Sequence, residues 1–254
     1  MVQHESAGPA KGAVVLAGPM TLERSHASLS WVRWARTLAL NGYDVWRFDY
    51  RGVGESTGDF RKQTFAEWQD DLEAVLRVAA LRHQGRVTVL GLRLGALLAR
   101  TAFEAHHADA LIAWDAPVSG KAMLMDMLRR KLASDYMEFA GGEKKTRDDY
   151  VQELERGLLV EVEGYEWSRA LWQSAATYAF TEPTRLTGKW LAVSLDARTP
   201  PPAPFGATAR IPRPVFWLQS ANLVADLNEL FTLTLDRLSL WSEGWATVKQ
   251  ERSA

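Results

Sequence analysis

Apolar positions along the chain switch between two patterns. Short continuous runs occur at GAVVLAG (12–18), DVWRFDY (44–50), 86–91 and 110–114, each with the length and β-branched content of a buried strand. Between them apolar residues recur at helical spacing. Leu29, Val32, Trp34, Leu38 and Leu40 predict a helix over 27–41 with Gly42 as its stop, and the preceding PMTLERS reads as a loop. Phe65, Trp68, Leu72, Val75, Leu76 and Ala79 predict a buried stripe on a helix over 64–80, opened by Thr64 as N-cap with Glu67 three positions on. A further helix starts near Arg93. Strands alternating with helices of this length imply a mostly parallel sheet with helices on both faces. Ligands of such sheets sit beyond the carboxyl ends of the strands, so Gly18-Pro19-Met20, Asp49-Tyr50-Arg51, Arg93 and Asp115 are expected to converge.

The pattern changes after Pro117. Residues 118–180 are helical and strongly charged (MLMDMLRRKLASDYM, GGEKKTRDDYVQELERG), with no strand signal until VEVEGY. They read as a helical lid inserted into one α/β domain spanning 1–254. Residues 181–213 are proline-rich, including TPPPAP, with one strand candidate at WLAVSL. VFWLQ (215–219) reads as a strand, 222–241 as a helix and 246–250 as a short final strand.

Composition narrows the function classes. The 254 residues carry 30 basic and 31 acidic side chains and no basic stripe, which argues against nucleic acid as a partner. With no cysteine, disulfides, thiolate catalysis and cysteine-held metals are excluded. No His, Asp and Glu cluster has metal-ligand spacing, no phosphate-cradling glycine loop is present, and no cofactor is implied. The N-terminus does not read as a signal peptide, and no apolar run is long enough to span a bilayer, so a cytoplasmic location is expected. The 11 tryptophans suit core and lid packing or, alternatively, a stacking platform for sugars or bases.

Candidate chemistry centres on VTVLGLRLGALLA (87–99). A strand, a Gly-x-x-x-Gly turn and a small-residue helix match the Gly-x-Ser-x-Gly nucleophile elbow, but Arg93 takes the central position. A guanidinium is protonated at all accessible pH and is not a nucleophile. Ser56, in the RGVGES turn, and Ser119, near a strand end, are the serines weighed in its place. The base of a triad is expected after the last strand, yet the histidines stand at 4, 26, 83, 106 and 107. His26 alone is expected near the site, and His106-His107 at a helix end. Asp115 stands at a strand end as an acid with no histidine to orient. Of the oxyanion donors, the backbone of Leu94 is intact. In the first loop Pro19 has no N–H to give, which leaves Met20.

GYDVWRFDYRGVGESTGDF (42–60) resembles the second conserved block of α/β-hydrolases. SHASLSWVRWARTLALNGYDV (25–45), GLRLGALLA (91–99), PVSGKAMLMDMLRRKLAS (117–134) and LLVEVEGYEWSRAL (158–171) are similar to segments of the exosortase A system-associated hydrolases, in particular the second type. The resemblance implies an α/β-hydrolase fold and a link to bacterial protein sorting and polysaccharide export. Arg93 then has two readings. It turns the old site into an anion pocket for an acyl carboxylate or a phosphate, helped by a helix N-terminus, or it pairs with Asp115 or Asp49 and plugs the site. Arg51 is expected to brace its turn. Arg129, Arg130 and Lys131 are expected on a solvated face, and Met123, Met125 and Met127 in lid packing or an apolar ligand surface. The expectation is a protein without ordinary serine-hydrolase activity that binds a small acyl or anionic ligand, or a protein partner, through Arg93, Leu94, Met20, Asp115 and His26. The alternatives are an ester or acyl hydrolase or transferase with a relocated nucleophile, and a purely structural partner in an export assembly.

Overall fold

A computed structural model describes residues 1–138, 145–180, 189–195, 208–211, 215–218 and 226–251, with side chains as far as 244. In chain order it contains β1 (Val2–His4), β2 (Gly12–Ala17), α1 (Thr21–Leu40), β3 (Tyr43–Arg47), α2 (Phe65–Arg82), β4 (Val87–Leu92), α3 (Leu94–Glu104) and β5 (Ala110–Trp114). These are followed by α4 (Gly120–Glu138), α5 (Arg147–Glu155), β6 (Val160–Val162), β7 (Tyr165–Trp167), α6 (Arg169–Ser174), β8 (Trp190–Ser194), β9 (Thr208–Arg210) and α7 (Asn228–Glu251).

The described strands build a seven-stranded sheet in the order β1-β3-β2-β4-β5-β8-β9, parallel except for the edge strand β1. β2, β4, β5 and β8 are buried at every residue, as continuous apolar runs require when helices cover both faces. Side chains alternate between two cores. Ala13, Val15 and Ala17 of β2 face α2 and α3, while Val14 and Leu16 face α1 and α7. The stripe on α2 is buried as expected, and Thr64 caps it, its hydroxyl oxygen accepting from the Glu67 N–H.

Several elements differ from the sequence reading. α1 begins at Thr21 rather than 27, because Met20 precedes it with no side-chain cap to mark the start. Its buried face is Ala27, Trp31, Trp34, Ala35 and Leu38, whereas Leu29 and Leu40 are exposed. The strand signal at VEVEGY corresponds to β6, which pairs with β7 as an antiparallel hairpin inside the segment otherwise read as helical. Residues 215–218 make a turn closed by Leu218 N–H to Val215 O, not a strand. Phe216 and Trp217 are nevertheless buried, and a short apolar run has no period that tells the two apart. The expected strand at 246–250 is the end of α7. β9 extends the sheet unforeseen. TPPPAP and 219–225, including the start of the helix expected over 222–241, lie outside the described residues.

Every tryptophan whose side chain is described is buried, which favours core packing over a stacking platform. Trp34 lies 5.4 Å from Trp114 and 4.4 Å from Phe231, ring centre to ring centre, joining α1, β5 and α7 on one face of the sheet. Trp34→Ala is expected to lower the unfolding free energy by about 3–5 kcal/mol, mostly from lost burial and the cavity left behind. Urea denaturation followed by fluorescence checks this; a change under ~1 kcal/mol would mean that the three elements are held by other contacts.

Candidate functional site

β4 hands the chain to α3 through a turn with no room for side chains on either side of Arg93. A Cβ on Gly91 would strike the Gly95 carbonyl, and a Cβ on Gly95 would strike the Ala17 carbonyl on β2. This close approach holds Arg93 at φ +57 and ψ −115, a conformation that costs a non-glycine residue about 1–3 kcal/mol. The turn is tied to the next strand by Arg93 N–H to Trp114 O, 3.2 Å. The side chain is thereby aimed out of the strand ends, where the sequence places it.

There it is surrounded by acids. Arg93 is 9% exposed. Its Nε and one terminal nitrogen face the two oxygens of Glu23 at 3.4 and 3.5 Å, and the other terminal nitrogen faces Asp115 Oδ2 at 3.4 Å. Burial works against the charge, but Glu23 and Asp115 outweigh it, and the guanidinium is held above its ordinary pKa. Asp115 Oδ1 accepts from the Leu195 N–H beyond β8. Glu23 is shared, because Arg130 on α4 donates to its Oε1 at 2.9 Å. Arg130 also reaches Glu163 (3.1 Å) in the β6–β7 turn and Asp126 (2.9 Å). The Thr21 hydroxyl donates to Glu163 Oε2 at 3.1 Å. Thr21, Arg93, Asp115 and Glu163 all have positive φ, so left-handed strain concentrates in this one network.

Of the residues expected to converge, Arg93 and Asp115 do. Tyr50 donates its hydroxyl to Gly18 O, but Asp49 turns away to a bidentate pair with Arg24 at 2.6 Å, so it is no partner of Arg93. Arg51 braces its turn through Asp71 and the Glu67 carbonyl. Leu94 opens α3 and Met20 precedes α1, both fully buried. His26 lies on α1 with Nδ1 3.3 Å from Trp217 O, which places the proton on Nδ1 and leaves Nε2 as an acceptor in the neutral ring. Ser56 donates to Asp49 O, and Ser119 accepts from the Ala122 N–H at the start of α4, so both hydroxyls serve backbone turns. His83 pairs with Asp44, and His107 with Glu73, neither of them in the Arg93 network.

Glu23, Arg130, Glu163 and Thr21 escaped the sequence reading. Arg130 does not lie on a solvated face, as expected for it beside Arg129 and Lys131. Its spacing from the buried Met123 and Met127 puts it on the inward face of α4, a signal present in the sequence. Glu23 was hidden by reading 19–25 as a loop. Among the described residues no three His, Asp or Glu are gathered as metal ligands would be.

Two cavities flank the network. One of about 410 Å³ has Arg93 and Asp115 among its lining residues, with Val118, Met123, Val215 and Leu218. The other, of about 370 Å³, is lined by His26, Glu23, Arg130 and Glu163 among others, and shares Trp217 and Leu218 with the first.

The mostly parallel sheet, the strained strand–turn–helix at 91–95 and a charged site beyond the strand ends define an α/β-hydrolase fold. A family model described as serine aminopeptidase, S33, matches residues 8–141, and the chain belongs to that family. No curated protein matches it. Among solved structures it is similar to Est1E from Butyrivibrio proteoclasticus, determined with ferulic acid bound (16% identity, TM-score 0.59, 94% of each chain covered). It is also similar to the α/β hydrolase GrgF from Penicillium sp. sh18 (14% identity, TM-score 0.58, 93% of this chain and 91% of that one). A third is α/β hydrolase domain-containing protein 10 from mouse (15% identity, TM-score 0.57, 94% and 93%). At such identities the likeness concerns the fold. No described helix is long and apolar enough to cross a membrane.

Removing the central cation leaves Glu23 and Asp115 buried with less compensation. Arg93→Met is expected to lose about 3–5 kcal/mol of stability at neutral pH, and adding Glu23→Gln should return part of it. Urea titrations of the single and double variants check this; a neutral Arg93→Met would show that the network does not hold the site. Asp49 gives a second test. Burial pushes its carboxyl up, but Arg24 and the Glu55 N–H outweigh it and hold it below the usual carboxylate range. Its stabilisation is present above about pH 4 and lost as pH falls further, so Arg24→Met should flatten the acid limb of the stability curve. An unchanged limb in acid titrations followed by circular dichroism would contradict this.

Proposed function

We propose that the chain is a non-hydrolytic member of its family, which binds a small acyl or anionic ligand, or a partner protein, beneath a lid formed by residues 118–180. The observation that carries this reading is Arg93, set at the strained turn where the fold presents its nucleophile and pinned between Glu23 and Asp115. A guanidinium in that position offers neither a nucleophilic lone pair nor a proton to exchange. The serines weighed as substitutes hold backbone turns. Asp115 spends one oxygen on a backbone N–H and faces Arg93 with the other, with no histidine to orient. The resemblance to exosortase A system-associated hydrolases supports a partner within a sorting or polysaccharide-export assembly, and a cytoplasmic location accords with it.

The test is turnover of p-nitrophenyl acyl esters together with labelling by a fluorophosphonate probe. The purified protein is expected to release nitrophenolate at the buffer rate and to remain unlabelled. Turnover above buffer with a labelled serine would favour the alternative, an ester or acyl hydrolase or transferase with a relocated nucleophile. Mapping the label would then identify that residue.

A further inference from the structure

We infer a separate binding site, for a small carboxylate of about the size of acetate, in the cavity between α1 and the chain leaving β2 and β3, with Trp31 Nε1 and the Arg47 guanidinium as its donors. Arg24 and Trp31 of α1, Gly18 after β2, and Arg47 and Asp49 at the end of β3 are on its wall. It shares no lining residue with the two cavities beside Arg93, so it is independent of what happens at the elbow.

Three observations carry it. First, the Trp31 indole N–H is a donor without an acceptor. Trp31 is 8% exposed, and its Nε1 is buried with no hydrogen-bond partner. A buried donor left so has lost its hydration with nothing in return. The nitrogen lies against Gly18, where a Cβ would come within 3.6 Å of it, and the Gly18 carbonyl is already taken by the Tyr50 hydroxyl. Second, Arg47 is half-buried and meets no carboxylate among the described residues. Arg24, Arg51 and Arg61 each close on an acid at 2.6–2.9 Å. Arg47 instead donates Nε to His4 Nε2 at 3.1 Å, and its terminal nitrogens have no partner among the described residues. Burial and the charges of Arg47 and Arg36 hold His4 below its ordinary pKa, so its ring stays an acceptor and balances no charge. The remaining planar fork fits the two oxygens of a carboxylate. Third, charge and size select the ligand. Asp49 is the one acid on the wall, and Arg24 holds both its oxygens at 2.6 Å, which leaves the Arg47 charge uncompensated. The cavity, about 60 Å³ against 370 and 410 Å³ for those beside Arg93, takes a few heavy atoms and no long chain. Water there would satisfy the indole N–H and leave the guanidinium unbalanced, whereas a carboxylate meets both.

The experiment is titration of the intact, isotope-labelled protein with sodium acetate and with acetamide at constant ionic strength. It is read on the tryptophan indole N–H resonance that is lost in Trp31→Phe. Acetate is expected to move that resonance downfield along a saturating curve. Acetamide, which has the same shape and no charge, should bind at least about tenfold more weakly, the difference of a hydrogen bond to a charged partner. Arg47→Met, which keeps the indole in place, should weaken acetate by a similar factor. A resonance that does not respond to acetate would assign the cavity to water and overturn the inference. Acetamide binding as tightly as acetate, or full acetate affinity in Arg47→Met, would overturn it equally. The comparison of acetate with acetamide is made on the unaltered protein, so it decides the matter even where Arg47→Met folds poorly.

Discussion

A guanidinium buried to the depth of Arg93 must be neutralised where it stands, and much of the local architecture follows from that requirement. The charge lies at the N-terminus of α3, where backbone N–H groups already make the potential positive, so burial and dipole act against it together. Glu23 and Asp115 supply the compensation, one from the first turn of α1 and one from the end of β5. Two acids for one cation leave negative charge over, and Arg130 meets it by bonding Glu23 from α4. Arg130 in turn is held by Glu163 and Asp126. Charge balance thus propagates from the sheet outward through four elements.

The same chain of contacts couples two parts of the molecule that pack for different reasons. The sheet and its flanking helices are held by apolar burial, with alternate strand residues filling two separate cores. The β6–β7 turn meets the start of α1 through Thr21 and Glu163, and α4 meets it through Arg130. Directional bonds fix that approach where area burial alone would not. Positive φ at Thr21, Arg93, Asp115 and Glu163 is the conformational cost of bringing these groups to one point.

The sheet was legible in the sequence because buried parallel strands and amphipathic helices each leave a period. β2, β4, β5 and α2 are legible that way, and the turn at Arg93 through its two glycines, Gly91 and Gly95. The site was half legible. Arg93 and Asp115 follow from their place at strand ends, which is a topological rule. Glu23 does not, since it depends on where α1 starts, and Met20 offers no side-chain cap to announce it. Arg130 was masked by its exposed neighbour Arg129, because a run of charges conceals which member turns inward. Glu163 sits in a turn, and its role depends on a tertiary approach that no local pattern encodes. The misread strands at 215–219 and 246–250 share one cause. Short apolar runs lack a period, and burial is common to strands, turns and helices alike.

Backbone contacts at Gly91 and Gly95 set the turn, so the side chain at position 93 is delivered to the same point whatever its chemistry. What changes is the field. An oxyanion site works because oriented N–H groups present uncompensated positive potential to charge that develops in the transition state. A permanent cation adds to that potential, and in isolation Arg93 would strengthen it. Burial makes isolation untenable, however, and the two carboxylates that stabilise the guanidinium also cancel the potential it would supply. With Glu23 and Asp115 facing Arg93 at 3.4–3.5 Å, the positive potential at the end of β4 is smaller than a lone guanidinium would give. A buried cation at position 93 requires acids on α1 and at the end of β5 to balance it, so the residue at the turn and its neighbours form one electrostatic unit.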